Sequence, residues 1–208
     1  FLVQSNGDLT MESGTVQGTK MTIQANTGGT FTMNGGNLIT DNDEQPYTVY
    51  LNGGSVEILG GRITGSQQGI YVKKGTLTVG NEIGSEQTYE DAQKIYIETI
   101  RSFNQNVTLN SGIIGNLVFS KFDADTVLNC WFENDITDYL SNKYMCVQVE
   151  GHSNYWKVVD FSAGNAVAKI TGPDEKEVLL GSLSQASANL ESGDTVTLLK
   201  DVTSAPAS

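Results

Sequence analysis

The chain has 208 residues, 23 of them Gly and only 3 Pro, and a formal net charge of −12. Its two arginines, Arg62 and Arg101, and ten lysines do not cluster, which argues against nucleic acid as a partner, because displacing counterions from phosphates needs grouped cations. No apolar run approaches the length of a membrane-spanning helix, and the acidity reads as solubility.

The chain opens on Phe1-Leu2-Val3-Gln4 without an initiator Met or a signal segment, which reads as a cut inside a longer protein. One gesture then recurs: apolar, polar, apolar, and a glycine or asparagine corner. Its copies are Leu9-Thr10-Met11 before Ser13-Gly14, Phe31-Thr32-Met33 before Gly35-Gly36, and Val56-Glu57-Ile58 before Gly60-Gly61. Leu77-Thr78-Val79 before Gly80-Asn81 and Val107-Thr108-Leu109 before Ser111-Gly112 complete the set. Periods in the twenties mark stacked repeats, in which no single copy can bury its own apolar face.

A second strand set lies between the copies: Met21-Thr22-Ile23, Thr48 to Leu51, Gly69 to Val72 and Lys94 to Ile97. A third, shorter strand follows each corner, as in Asn37-Leu38-Ile39 and Arg62-Ile63-Thr64. Two or three short strands per period describe one coil of a parallel β-helix, its coils one inter-strand spacing apart. Alternation then predicts two interior ladders, Leu9/Phe31/Val56/Leu77/Val107 and Met11/Met33/Ile58/Val79/Leu109. Thr10, Thr32, Glu57, Thr78 and Thr108 should face water. A leucine-rich repeat would need helix formers and a fixed Asn in each period, and neither is present. The acidic insertion Ser85 to Gln93 reads as a surface loop with a helical turn, protruding from one corner of the stack.

From Asp123 the pattern changes. Thr126-Val127-Leu128 reads as a last strand, and Cys130-Trp131-Phe132 stands where the repeat would place its corner. Asp135 to Asn142 has the look of a short helix with Asp135 as N-cap. Met145 to Val149 and Tyr155 to Val159 read as two strands joined by a turn. Such a helix and hairpin would cover the open end of the stack. In the tail, Ala166 to Ile170 reads as a strand. Ser182 to about Glu191 reads as a capped helix showing Leu183, Ala186 and Leu190 on one side, and Thr195 to Leu199 as a further strand.

The repeats resemble those of pectate-lyase-like, right-handed parallel β-helix proteins. The segment Trp131-Phe132 to Asp135, with Tyr139-Leu140, Tyr144 and Tyr155-Trp156 to Val159, resembles a recurrent module end in large repeat-built surface proteins of Gram-positive bacteria. Ala168-Lys169-Ile170 through Leu183, with Ser192 to Val202, resembles the helix and first strand that open the next module there. The usual Gly before Phe132 is replaced by Cys130-Trp131, and that before Tyr144 by Lys143. The resemblance implies coils over residues 1–129, a cap over 130–160, and a small α/β unit or following module over 161–208.

Candidate chemistry is thin. Trp131, Tyr155 and Trp156 could form a platform for sugar rings, although aromatics on a closing hairpin more often pack over the core. Asp41 and Asp43 could offer oxygens to Ca²⁺, the one cofactor considered, though both read first as solvated turn residues. Cys130 and Cys146 read either as a disulfide, fitting an extracellular protein, or as two buried thiols. His152 sits in a turn away from any nucleophile. The fold expected is therefore all-β: a short right-handed parallel β-helix with a C-terminal helix and hairpin cap and a small α/β tail. The function expected is a non-catalytic, secreted or cell-surface bacterial module, a stalk or an adhesive surface for host or cell-wall glycan or protein. The alternative is a polysaccharide lyase or glycoside hydrolase on the same scaffold, which would need paired carboxylates or a base near a metal.

Overall fold

The computed structural model describes residues 1–41, 47–65, 68–82, 87–102, 106–119, 128–140, 144–161, 164, 166–188 and 190–201. Strands dominate. They join into one large, mostly parallel sheet and a separate three-stranded antiparallel sheet.

The chain makes successive passes through the same three strips. The first pass is β1 (Leu2–Val3), β2 (Asp8–Met11) and β3 (Thr15–Gly18), and the second is β4 (Ile23–Asn26), β5 (Thr30–Met33) and β6 (Asn37–Thr40). In the third, β7 (Tyr47–Ile58) crosses from the first strip to the second as one strand, and β8 (Gly61–Gly65) follows. The fourth is β9 (Gln68–Val79), then helix α1 (Tyr89–Ala92) and the start of β10 (Ile95–Ser102). The rest of β10, β11 (Val107–Leu109) and the start of β12 (Ile113–Phe119) make the fifth pass. The remainder of β12, a bridge at Leu128 and β13 (Trp131–Phe132) make the sixth.

Each pass, or rung, pairs in parallel with the next, in unbroken register on the second and third strips and with shifts at the end of the first, near Asn26 and Asn52. Leu9, Phe31, Val56, Leu77 and Val107 stand in one line. Met11, Met33, Ile58, Val79, Leu109 and Leu128 stand in its neighbour. A third line runs Val16, Leu38, Ile63, Ile97, Ile114 and Phe132. These lines fill one continuous core, with Phe31, Phe132 and Leu38 fully buried. Thr32, Glu57 and Thr78 share the opposite face of their strands, because side chains alternate along a strand. The arrangement is compatible with a β-helix-like fold.

The corners explain the glycines. Gly36 and Gly61 sit at φ of 90° and 96°, a region that costs an L side chain dearly. They also stack: a Cβ on Gly36 would lie 2.4 Å from the Gly14 carbonyl oxygen, and one on Gly61 2.5 Å from that of Gly36. Close approach of one rung to the next, as much as the turn itself, demands glycine here.

The structure departs from the sequence expectations at several points. Strand β4 starts at Ile23 rather than Met21. Ile95 to Ile97 joins the third strip, against Gly61 to Ile63, and only Ile100 to Ser102 returns to the first strip against Ile70 to Val72. The in-out alternation is the same on every strip, so it could not tell which one the chain re-enters after the insertion. The helix expected over Asp135 to Asn142 is a single 3-10 turn, Thr137–Tyr139. The Asp135 carboxylate accepts from both the backbone N–H (2.9 Å) and the hydroxyl (2.6 Å) of Thr137. Thr137 Oγ1 in turn accepts from the Cys146 N–H at 2.9 Å, tying the turn to the following strand. Thr126 and Val127 lie outside the described residues.

The chain then closes with an antiparallel hairpin, β14 (Tyr144–Val149) and β15 (His152–Asp160), whose second strand pairs with β13. Beyond it, β16 (Ala168–Thr171) lies between β17 (Glu177–Leu180) and β18 (Thr195–Leu198). Helix α2 (Leu183–Ala188) packs Ala186 over Ala168, Ile170 and Leu180. Of the three residues expected on its covered side, only Ala186 is buried, while Leu183 and Leu190 are exposed. Strand β17 was not anticipated, because Asp174-Glu-Lys-Glu177 masks its start with charge.

Candidate functional site

Two aromatic groups stand on the outside of the stack, one anticipated and one not. The first grows from β13. Phe132 turns inward and is buried, so Trp131 turns outward by alternation. Strand β15 sets Lys157 opposite Trp131 and Trp156 opposite Phe132. Trp156 therefore packs against the main core, while Tyr155 lies on the side of Trp131. Helix α1 supplies the rest. Thr88 caps it by accepting from the Asp91 N–H, and Lys94 pairs with Asp91 at 2.8 Å, which holds Asp91 below the usual carboxylate range.

Tyr89 of α1 stacks on His152 at 4.5 Å, and both approach Trp131, at 5.9 and 5.3 Å. Tyr155 meets Trp131 at 5.8 Å. Burial first, then a hydrogen bond with Tyr89, pushes the Tyr155 phenol above its ordinary value. Trp131 is left 4% exposed. Of the three predicted aromatics, the structure brings Trp131 and Tyr155 together and sends Trp156 to the other side of its strand. With its indole covered, Trp131 gives a sugar ring no face to lie on, and the group acts as a clasp joining insertion, last rung and hairpin. The insertion does not simply protrude: Gln87 is buried and accepts from the Gly112 N–H at 2.7 Å.

The second group lies on the first strip. Tyr50, Tyr71 and Arg101 occupy one line in successive rungs. Tyr71 stacks on Tyr47 at 4.6 Å and on Tyr50 at 5.6 Å, and the Arg101 guanidinium sits 6.0 Å from its ring centre. Burial, followed by the neighbouring Tyr71, raises the Tyr47 phenol, against a lowering by Arg101. The chain's other arginine repeats the motif on the third strip, Arg62 lying 3.8 Å over Tyr96. The signal was present in the sequence: Val49-Tyr50-Leu51 and Ile70-Tyr71-Val72 place tyrosine at the same outward position one rung apart.

No family model matches this chain, and comparisons with curated proteins and with solved structures return no match.

The remaining candidates are soon placed. Asp41 is exposed and accepts a hydrogen bond from the Gln17 side chain, and Asp43 lies outside the described residues. Among the described residues no three His, Cys, Asp or Glu gather in a group able to hold a metal. Cys130 and Cys146 are free, buried thiols rather than a disulfide, and burial pushes both upward, Cys146 to about 12. Among the described residues no helix is long and apolar enough to cross a membrane.

Proposed function

We propose that this chain is a non-catalytic extracellular module of a bacterial surface protein. Its fold would be a short right-handed parallel β-helix closed by the β14–β15 hairpin, with residues 161–208 forming a small α/β unit or the start of a following module. It would serve as a stalk or as an adhesive surface for glycan or protein. The observation that carries this reading is the second strip, where one pairing repeats and the outward line runs Thr10, Thr32, Glu57, Thr78 and Thr108, with a single carboxylate where glycoside hydrolysis needs a pair. Fold alone never fixes function.

The test is direct. Incubation with a panel of acidic and neutral polysaccharides, read by product absorbance and reducing ends, is expected to show no turnover. A glycan array is expected to show saturable binding. Turnover of any polymer overturns the non-catalytic reading, and an array without saturable signal reduces the glycan-adhesive role to that of a spacer.

A further inference from the structure

We infer that the tail sheet joins that of a second copy of the chain, edge to edge along β18, as a two-fold antiparallel dimer. Such a joint would serve a stalk and an adhesive surface alike.

Among the described residues, β18 is an outer strand of its sheet, exposed along its whole length. Leu199 donates to the Val167 carbonyl at 2.9 Å. An antiparallel ladder alternates, so Thr195, Thr197 and Leu199 turn their backbone groups toward β16. Val196 and Leu198 therefore turn theirs to the outer edge, where no described strand meets them. Their side chains stand opposite Ile170 and Ala168, on the face that α2 covers. Ile170 and Ala168 are buried there, whereas Val196 and Leu198 are left 39% and 57% exposed. Outward backbone groups beside an apolar strip are a template for a further strand.

The order of residues in the strand makes a second copy the occupant, since a two-fold joint sets one patch against itself. With Thr197 on the axis, Val196 of each copy faces Leu198 of the other, and Asp194 of each faces Lys200 of the other. Both Val196–Leu198 pairs are then of the hydrogen-bonded kind, giving about four backbone bonds between the copies. Sliding the strands one way sets Asp194 against Leu198, and sliding them the other way sets Val196 against Lys200. Only the first register matches apolar to apolar and acid to base. Asp194 already accepts from the Glu191 N–H, and Lys200 donates to the Gly164 carbonyl; a carboxylate and an ammonium each hold more than one partner. Lys169 and Glu177 of the same sheet pair with each other at 2.6 Å. The outer edge of the first rung has no such match. There Gly7 and Met11 accept from Thr30 and Asn34 of the next rung, so Asp8, Thr10 and Glu12 turn their backbone outward, and charged residues on an open edge oppose pairing.

The experiment is sedimentation of the whole chain at about 0.15 M salt, from about 10 µM to about 1 mM, because a joint this short makes a weak dimer. The average mass is expected to rise with concentration from monomer toward dimer. Leu198→Lys, a change at an exposed position, strips the apolar contact from both halves of the joint and should weaken association by at least about tenfold. Lys200→Glu sets carboxylate against carboxylate twice and should weaken it about tenfold, and adding Asp194→Lys should restore it. Thr197→Cys places a thiol opposite its own copy in a non-hydrogen-bonded pair, with Cα atoms about 4.5 Å apart and within reach of a disulfide. Mild oxidation should then link two chains, whereas Thr195→Cys, which faces Leu199, should stay unlinked. Circular dichroism confirms that each variant is folded. A chain that stays monomeric at the highest concentration overturns the joint, as does association that survives both Leu198→Lys and Lys200→Glu. Linking through Thr195→Cys in place of Thr197→Cys overturns the register, and with it the match that selects a second copy.

Discussion

At the scale of single residues, the corner glycines and the buried thiols have the clearest energetic consequences. Gly14, Gly36 and Gly61 share positive φ, yet a Cβ on Gly14 meets nothing within 4 Å, while those on Gly36 and Gly61 run into the carbonyl of the rung before. Gly14→Ala should therefore cost only the conformational term, about 1–2 kcal/mol. Gly36→Ala adds a backbone overlap and should cost about 3 kcal/mol or more. Urea unfolding of the two variants checks the order, and equal midpoints would show that stacking is not what selects glycine. The thiols give a pH dependence with a definite sign. In the folded chain Cys130 and Cys146 hold their protons to high pH, whereas unfolded thiols ionise near about 8.5. Above that value the unfolded state binds fewer protons than the native one, so stability must fall as pH rises. The slope is about 1.4 kcal/mol per pH unit for each thiol and extends, for Cys146, toward about pH 12. Comparison of stability at pH 8 and pH 10 with that of Cys130→Ala, which should lose part of the dependence, isolates the effect.

At the scale of elements, the aromatic clasp decides how the closed end is held. Tyr89 comes from α1, Trp131 from β13, and His152 and Tyr155 from β15. Helix α1 thus meets the paired strands β13 and β15 through rings rather than through a strand ladder. Tyr89→Ala should speed amide exchange at 87–94 and 152–157 by at least tenfold and leave β5, β7 and β9 protected. Uniform loss of protection would mean that the clasp is inseparable from the core. Much of the stack was legible in the sequence, because the ladders need only apolar alternation and a corner, and Phe31-Thr32-Met33 followed by Gly35-Gly36 states both. What was not legible depended on placement. Ile95-Tyr96-Ile97 has the alternation of every strip, and only the path of the insertion sends it to the third. Thr137 reads as an ordinary helical residue until the Cys146 N–H is found on its hydroxyl. The chemistry of Trp131 is plain in the sequence, but its accessibility is limited by Tyr89, a residue of the insertion far earlier in the chain. The tyrosine row escaped because its meaning lies in stacking between rungs.

At the scale of the whole molecule, two bodies of apolar packing divide the chain unequally. The large core runs from Met11 through Phe132 to Cys146, and Ala168, Ile170, Leu180 and Ala186 form a small cluster of their own. Ser182 Oγ touches Asp138 at 2.7 Å where the two parts meet, a contact at the surface and so worth little. A chain shortened to residues 1–161 should therefore keep its thermal midpoint within about 5 °C of the full chain. A larger fall would show that the tail sheet supports the hairpin. The unequal strand lengths of the rungs have a mechanical consequence. Hydrogen bonds between rungs run along the stacking axis, so tension drawn through the two ends would load them like the teeth of a zipper. The first rung is held by strands of two to four residues, whereas the third and fourth are held by the twelve-residue β7 and β9. Peeling should begin at the first rung and stall at the third. Each released rung of roughly 22 residues would lengthen the tether by about 75 Å, a staircase that an optical trap would resolve with its highest force in the middle.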